Sequence, residues 1–483
     1  MKFFAVQKVV GLLLTLFSFT MLPPVVVGLI YRDGEIWPFL AAFLLILGVG
    51  LTTFLPVMRL HQELRIRDGF LVVVLFWTGL GLAGSLPFVL AEVPRLSVTD
   101  AIFESMSGLT TTGATVIVGL DDMPKAILFY RQQLQWLGGM GIIVLAVAVL
   151  PMLGVGGMQL FRAEMPGPVK DAKLTPRITE TAKALWYIYV AMTIACTLAY
   201  WAAGMTFFDA IGHAFSTVAI GGFSTHDASM GYFNSTLIEM IAVLFMLMAA
   251  MSFALHFVAF HRLDLGVYRR DSELRFFLFI MATVTAITTL ALFYTDTYIT
   301  WDDAFTHGLF QAVSIGTTAG FTTAEFFYWP PFIEILLLFA SFVGGCAGST
   351  AGGIKVIRFL LLIKQGIREI ERLIHPNAQI PVRVGGKSVN HRVVDAVWGF
   401  FSLYVASFVI MYLLLAATGL DLLTSFSAVA ACINNLGPGL AQVGPHYADL
   451  HDPAKWILCV AMLLGRLEIF TLLVLLTPAF WQR

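Results

Sequence analysis

Apolar runs of about twenty residues recur from one end of the chain to the other, with polar positions gathered in the short stretches between them. Ten such runs, near 8–30, 36–58, 70–92, 126–155, 181–206, 236–260, 275–297, 331–365, 393–418 and 455–479, can each cross about 30 Å of hydrocarbon as helix. The first run is too long for a signal-peptide core and is expected to stay as a span. Four further apolar segments are too short to cross. They open at Asp100, Asp209, Asp303 and Thr424-Ser425, side chains suited to cap a helix N-terminus, run for about 10–14 residues, and break into Gly/Thr-rich stretches. About ten helical residues reach only about 15 Å, half the hydrocarbon core. The pattern predicts an all-α integral membrane protein: ten transmembrane helices with four re-entrant helices.

Placed in register, the four breaks are Ser107-Gly-Leu-Thr-Thr-Thr-Gly113, Ser216-Thr-Val-Ala-Ile-Gly-Gly222, Ser314-Ile-Gly-Thr-Thr-Ala-Gly320 and Ala431-Cys-Ile-Asn-Asn-Leu-Gly437. A glycine stands at the same place in all four. Spans 3/4, 5/6, 7/8 and 9/10 bracket one break each, which divides the chain into repeats at 69–160, 161–265, 266–373 and 374–483, with two helices in 1–68 left outside. The third short segment is longer by about one helical turn.

Non-helical backbone at membrane depth is tolerable only where it is buried in protein or lines a water-filled cavity. Four such loops are therefore expected to face one another in pseudo-fourfold repeats. A half-helix ending at the membrane centre aims the negative end of its dipole there, which favours a cation. Glycine permits the positive φ that turns carbonyls toward an ion. No Asp or Glu lies within the four loops, so they predict a carbonyl-lined site for a monovalent ion rather than a carboxylate ring for a divalent one.

Composition agrees: of 483 residues, 58% are hydrophobic and 12% charged, and a net charge of -1 gives no reason to expect nucleic acid as a partner. Of the 29 Lys and Arg residues, the ten-span arrangement places only Arg32, Arg95, Lys125, Arg131 and Lys455 opposite the termini and Arg466 inside the last span. All others fall on the terminal side, so both termini are expected to be cytoplasmic. Cys196, Cys346, Cys432 and Cys459 lie in apolar runs, as small buried residues do. There is no His-Glu-x-x-His helix and no nucleophile and base pairing, so an enzyme finds no support.

Span 8 is interrupted at 344–353, where five of ten residues are glycine. It is not a phosphate cradle, because Val356 follows Lys355 where Ser or Thr is required. It is either a packing kink or a mobile intramembrane element. Arg466 is either paired structurally, with Glu468 or another acid, or a fixed charge on the pathway. Glu104 is expected to hold loop backbone; His213, His256 and His307 are expected to be packing residues. Residues 367–392 combine an amphipathic helix with a hairpin candidate, Val382-Arg-Val-Gly-Gly-Lys-Ser-Val389.

Five stretches, Thr110-Thr-Thr-Gly-Ala-Thr115, Ala219-Ile-Gly-Gly-Phe-Ser-Thr225, Gly344-Gly-Cys-Ala-Gly-Ser-Thr350, Asn434-Asn-Leu-Gly-Pro-Gly439 and Gly465-Arg-Leu-Glu468, make the chain resemble, over essentially its whole length, a TrkH-type subunit of the Trk/Ktr/HKT superfamily of potassium and sodium transporters. The resemblance implies potassium uptake across a bacterial inner membrane, with a sodium-permeable or cation-coupled relative as the alternative. It implies a filter at Thr111, Thr112, Gly113, Ile220, Gly221, Gly222, Thr318, Ala319, Gly320, Asn435, Leu436 and Gly437, acting mainly through backbone carbonyls. It implies gating by Gly344, Gly345, Gly348, Ser349, Gly352, Gly353 and Arg466. It also implies a homodimer in lipid, a cytosolic nucleotide-binding regulatory subunit, and no cofactor on this chain, the potassium ion being the substrate. Ala351, where relatives often have glycine, and the apolar Met251-Ser252-Phe253-Ala254 depart from the pattern.

Overall fold

The computed structural model describes residues 3–60, 65–144 and 178–482. The basic residues Arg162, Lys170, Lys173 and Arg177 lie outside the described residues. Among the described residues, the secondary structure is helical but for one hairpin, Arg383–Val384 paired antiparallel with Lys387–Ser388 across Gly385-Gly386, where the sequence places it. Among the described residues, six helices are long and apolar enough to cross a membrane: Phe3–Tyr31, Ile36–Val57, Arg67–Leu90, Ala182–Ala202, Ser272–Tyr294 and His391–Ala416. Large apolar side chains such as Leu16, Leu44, Ile194 and Leu413 are exposed along them, as hydrocarbon contact requires.

Two more expected spans are broken rather than straight. Thr236–Ala250 and Phe253–Arg262 meet at 93°, and Asp452–Arg466 and Phe470–Leu476 at 115°. The continuous spans expected at 236–260 and 455–479 are corrected accordingly. The remaining two expected spans are represented by Lys125–Val144, at the edge of the described residues, and by Pro331–Val343, which ends at Gly344 before the amphipathic helix Val356–Ile374.

The four short segments are helices of 12, 13, 16 and 12 residues: Val98–Leu109, Phe207–Ala219, Trp301–Gly316 and Leu422–Ile433. The third carries the extra turn. Their caps lie three residues upstream of the expected positions. Ser97, Thr206 and Thr300 accept the N–H of Asp100, Asp209 and Asp303, each at 3.1 Å, and donate to the same carboxylates at 2.8, 2.6 and 2.7 Å. Asp421 accepts the Thr424 N–H at 3.0 Å. Asp100, Asp209 and Asp303 thus occupy the third helical position, where a carboxylate also complements the helix dipole, while Asp421 is itself a cap.

Each short helix packs between the long helices that precede and follow it in its repeat. It also packs against the exit helix of the repeat before: Lys125–Val144 on Phe207–Ala219, Thr236–Ala250 on Trp301–Gly316, Pro331–Val343 on Leu422–Ile433, and Asp452–Arg466 back on Val98–Leu109. The last contact closes the order into a ring. Phe3–Ser18 and Leu22–Tyr31 stand outside it, against the first repeat.

Candidate ion pathway

All four short helices end in the same way. The N–H of Thr112, Gly221, Ala319 and Leu436 reaches back five residues to the carbonyls of Ser107, Ser216, Ser314 and Ala431 at 2.8–2.9 Å. The N–H of Thr111, Ile220, Thr318 and Asn435 reaches back three, to Gly108, Thr217, Ile315 and Cys432. This is the Schellman termination, whose left-handed residue is usually glycine. Here it is Thr111, Ile220, Thr318 and Asn435, at φ +52°, +53°, +68° and +54°. A β-branched residue in that region is strained by about 1–3 kcal/mol, and such strain persists only where the surroundings over-determine it. Two residues on, Gly113, Gly222, Gly320 and Gly437 have φ +86°, +77°, +81° and +95°. Alternation of positive and negative φ brings successive carbonyls to one side of the strand, whereas a regular strand alternates them.

The loops meet in the order of the helices. A Cβ added to Gly113, Gly222 or Gly320 would lie within 3.0 Å of the carbonyl oxygen of Gly221, Ala319 or Leu436, and one on Gly437 within 3.0 Å of that of Thr112. Each glycine therefore abuts the carbonyl preceding the equivalent glycine of the next loop, and the fourth returns to the first. All twelve expected filter positions are brought together. A cavity of about 330 Å³ opens over them and is lined by all four glycines. Glu104 behaves as the sequence suggests: fully buried, it accepts the Val116 N–H at 2.9 Å and pairs with Arg131 at 2.7 Å. Arg131 continues to the Ser224 carbonyl at 2.9 Å, joining the first loop to the second.

The glycine-rich segment lies directly against this ring. The Gly352 N–H donates to Thr318 Oγ1 at 2.7 Å, the Gly353 N–H to the Asn434 carbonyl at 3.0 Å, and Thr350 Oγ1 to the Val218 carbonyl at 2.9 Å. Gly344, Gly348 and Gly353 have φ +66°, +74° and +74°. Gly345 is packed under the Ala250 carbonyl, and Ser349 folds back on the Cys346 carbonyl at 2.6 Å. The break at Met251-Ser252 serves this segment: the Ala250 carbonyl accepts the Cys346 N–H at 2.8 Å, and the Phe253 N–H donates to the Gly348 carbonyl at 3.1 Å.

Arg466 is buried at the end of its helix and donates to the Thr111 hydroxyl, while its Nε has no hydrogen-bond partner among the described residues. Glu468 is paired with Arg358 at 2.9 Å. A small cavity of about 40 Å³ touches Arg466, Gly352 and Gly353 together. Of the histidines, His213 and His256 are buried packing residues with hydrogen-bond partners and His307 is partly buried. All four cysteines are free and buried.

Residues 39–483 match the model of the TrkH family, described as cation transport protein. This chain belongs to the TrkH family. It is 62% identical over the full length of both chains to the Trk system potassium uptake protein TrkH of Vibrio parahaemolyticus, and 57% identical, over 99% of each, to the TrkH of Halomonas elongata. It is 44% identical to the Trk system potassium uptake protein TrkG of Escherichia coli K12, over 99% of this chain and 98% of that one. Among solved structures, the crystal structure of the potassium transporter TrkH from Vibrio parahaemolyticus superimposes with a TM-score of 0.93 at 59% identity, covering 100% of both chains. TrkH-family membership makes the chain a membrane transport protein and not an enzyme.

Sequence reasoning missed two residues of the site: Arg131 and Gln135, which reach the second loop from Lys125–Val144. The signal was present. Arg131-Gln-Gln-Leu-Gln135 is a polar run inside an apolar span.

Proposed function

We propose that this TrkH-family chain takes up potassium through the ring formed by its four loops. The carrying observation is that each loop's glycine abuts the carbonyl before the next loop's glycine, in a closed cycle of four. A hydrated ion entering the open cavity exchanges water for the carbonyls around Thr111, Thr112, Gly113, Ile220, Gly221, Gly222, Thr318, Ala319, Gly320, Asn435, Leu436 and Gly437. Four helix C-termini, each carrying roughly half a negative charge, converge there and favour a cation without any carboxylate in the loops. That the relatives are Trk system potassium uptake proteins supports potassium as the ion.

Beneath the filter, Gly344, Gly345, Gly348, Ser349, Gly352 and Gly353 form a gate with Arg466. A guanidinium about 6 Å from a passing monovalent cation opposes it by about 3 kcal/mol at an effective dielectric of 20. The reading extends to a homodimer with ten crossings per chain in a bacterial inner membrane, both termini cytoplasmic, above a cytosolic nucleotide-binding regulatory subunit. The segregation of Lys and Arg supports the orientation, and the "Trk system" in the relatives' names supports the partner. The test is ion flux into liposomes holding the purified chain. Potassium flux well above sodium flux is expected; flux of neither ion, with or without a proton gradient, contradicts the reading.

A further inference from the structure

Helix Lys125–Val144 buries four polar side chains in five residues, Arg131, Gln132, Gln133 and Gln135. A buried amide without partners is costly, so where these side chains reach is informative. Gln133 turns away, to the Thr20 carbonyl at 2.8 Å. Gln135 turns to the second loop: Nε2 donates to the Gly221 carbonyl at 2.6 Å, and Oε1 accepts the Phe223 N–H at 3.0 Å. The amide orientation is fixed by its partners, since a carbonyl can only accept and an N–H only donate. One side chain thus brackets Gly222 from both sides.

The second loop is where such support is needed. The residue before the shared glycine is Thr112, Ala319 or Leu436 in the other loops, each buried with a side chain of its own. In the second loop it is Gly221, and a Cβ added there would lie within 3.0 Å of the Gln135 amide carbon. Gln135 occupies the place that the other loops fill from within. Two consecutive glycines also leave the backbone its greatest freedom, so nothing within Gly221-Gly222 itself holds the carbonyl in place. One turn earlier on the same helix face, Arg131 holds the Ser224 carbonyl at 2.9 Å and stacks on the Phe223 ring at 4.2 Å.

We propose that Gln135 is a positioning residue for ion preference: its amide holds the Gly221 carbonyl and the Phe223 N–H in the geometry that Gly222 requires. A carbonyl has a second lone pair, so the Gly221 oxygen can accept from Gln135 and still face an ion. The inference rests on the filter reading above. Gln135→Glu keeps shape and the acceptor for Phe223, removes the donor to Gly221, and sets two oxygens against each other. The potassium-to-sodium flux ratio in liposomes is expected to fall about tenfold, the worth of one buried hydrogen bond. A merely structural role would lower the amount of assembled protein and leave the ratio alone. Gln135→Met, which keeps the length and loses both bonds, gives the same readout where the Glu variant does not assemble. Gly222→Ser is measured beside them. Gln135 variants with the wild-type ratio, while Gly222→Ser loses it, overturn the inference and leave the filter standing. Retention of the ratio by Gly222→Ser as well overturns the filter reading itself.

Discussion

Two stretches of irregular backbone lie against each other in the centre of this chain, and they are held in opposite ways. The loops at 111–113, 220–222 and 435–437 are gripped by side chains from outside them, on the surrounding helices and, for Tyr447, on the stretch between Ala441–Val443 and Asp452–Arg466, while beside the third loop Ser314 of its own short helix donates to the Phe321 carbonyl at 2.7 Å. Gln135 brackets Gly222, Tyr447 donates to the Gly437 carbonyl at 2.7 Å, Tyr404 to Asn434 at 2.5 Å, and Glu104 and Arg131 tie the first loop to the second. The segment at 344–353 is held mainly by backbone groups, those of Ala250 and Phe253 at a helix break and those of Val218 and Asn434, with one carboxylate of a continuous helix, Glu273, accepting the Ala347 N–H at 2.7 Å; beside it Arg466 Nε has no partner among the described residues. On the reading proposed above, this difference separates choice of ion, at the loops, from retention of ion, at the segment.

The sharpest way to break that separation is at Gly113. A side chain there opposes φ +86° and strikes the Gly221 carbonyl. Gly113→Ser is expected to lower the potassium-to-sodium flux ratio by at least about tenfold, since misplacing one carbonyl costs at least one hydrogen-bond equivalent. An unchanged ratio would remove the first loop from the filter.

Deleting 346–352 probes the other side. Gly344 already lies against Gly353, so the cut ends are adjacent. The deletion removes the bonds to Val218, Thr318 and Ala250 and is expected to raise potassium flux severalfold with the ion ratio intact. Wild-type flux from a well-assembled deletion protein returns the segment to a packing kink.

A smaller gain is expected from Arg466→Ala, which removes the charge and its bond to Thr111, while Arg466→Lys stays near wild type because the charge is kept. The readout is flux per assembled protein. A folded Ala variant with unaltered or reduced flux removes the barrier role.

The smallest effect belongs to the loops beyond the filter. His226 Nδ1 lies 2.5 Å from Asp121, its Nε2 3.5 Å from Asp209, and its ring 6.4 Å from that of His213, while Asp227 accepts the N–H of Gly119 and Leu120 at 3.1 and 2.9 Å. Burial pulls the imidazole pKa down, but hydrogen bonds and charge from Asp209 and Asp121 outweigh it and raise the pKa above its ordinary 6.5. A group with a raised folded pKa contributes its full stability below the unfolded value and loses it as pH rises through the folded one. Tm is therefore expected to fall by a few °C as pH climbs from about 6 to above the raised pKa, and His226→Asn is expected to flatten that slope. A slope unchanged in the variant assigns it elsewhere.

Much of this was legible in the sequence because period and register are local properties. The in-phase glycines and the extra turn before Gly320 follow from spacing alone. The helix starts were misplaced because an Asp at the third helical position carries the same acidic signature as a cap, and only the Ser97, Thr206 and Thr300 hydroxyls three residues earlier distinguish the two. The breaks after Ala250 and Arg466 left no trace, since neither Met251-Ser252 nor Leu467 to Ile469 contains glycine or proline. The first break is matched to a distant partner, Ala250 to Cys346 and Phe253 to Gly348, and that partner is a tertiary fact. Gln135 went unread for a similar reason: a polar run in an apolar span signals a buried network without naming its other half.

The proposed ion site is the ring itself. Anomalous scattering from crystals grown in rubidium, a potassium stand-in, tests it directly. Density is expected on the ring axis at the level of residues 111–113, 220–222, 318–320 and 435–437, weakened in Gly113→Ser and retained in the 346–352 deletion. Density elsewhere on the chain, or density at the ring that vanishes with the deletion and survives the serine, would contradict it.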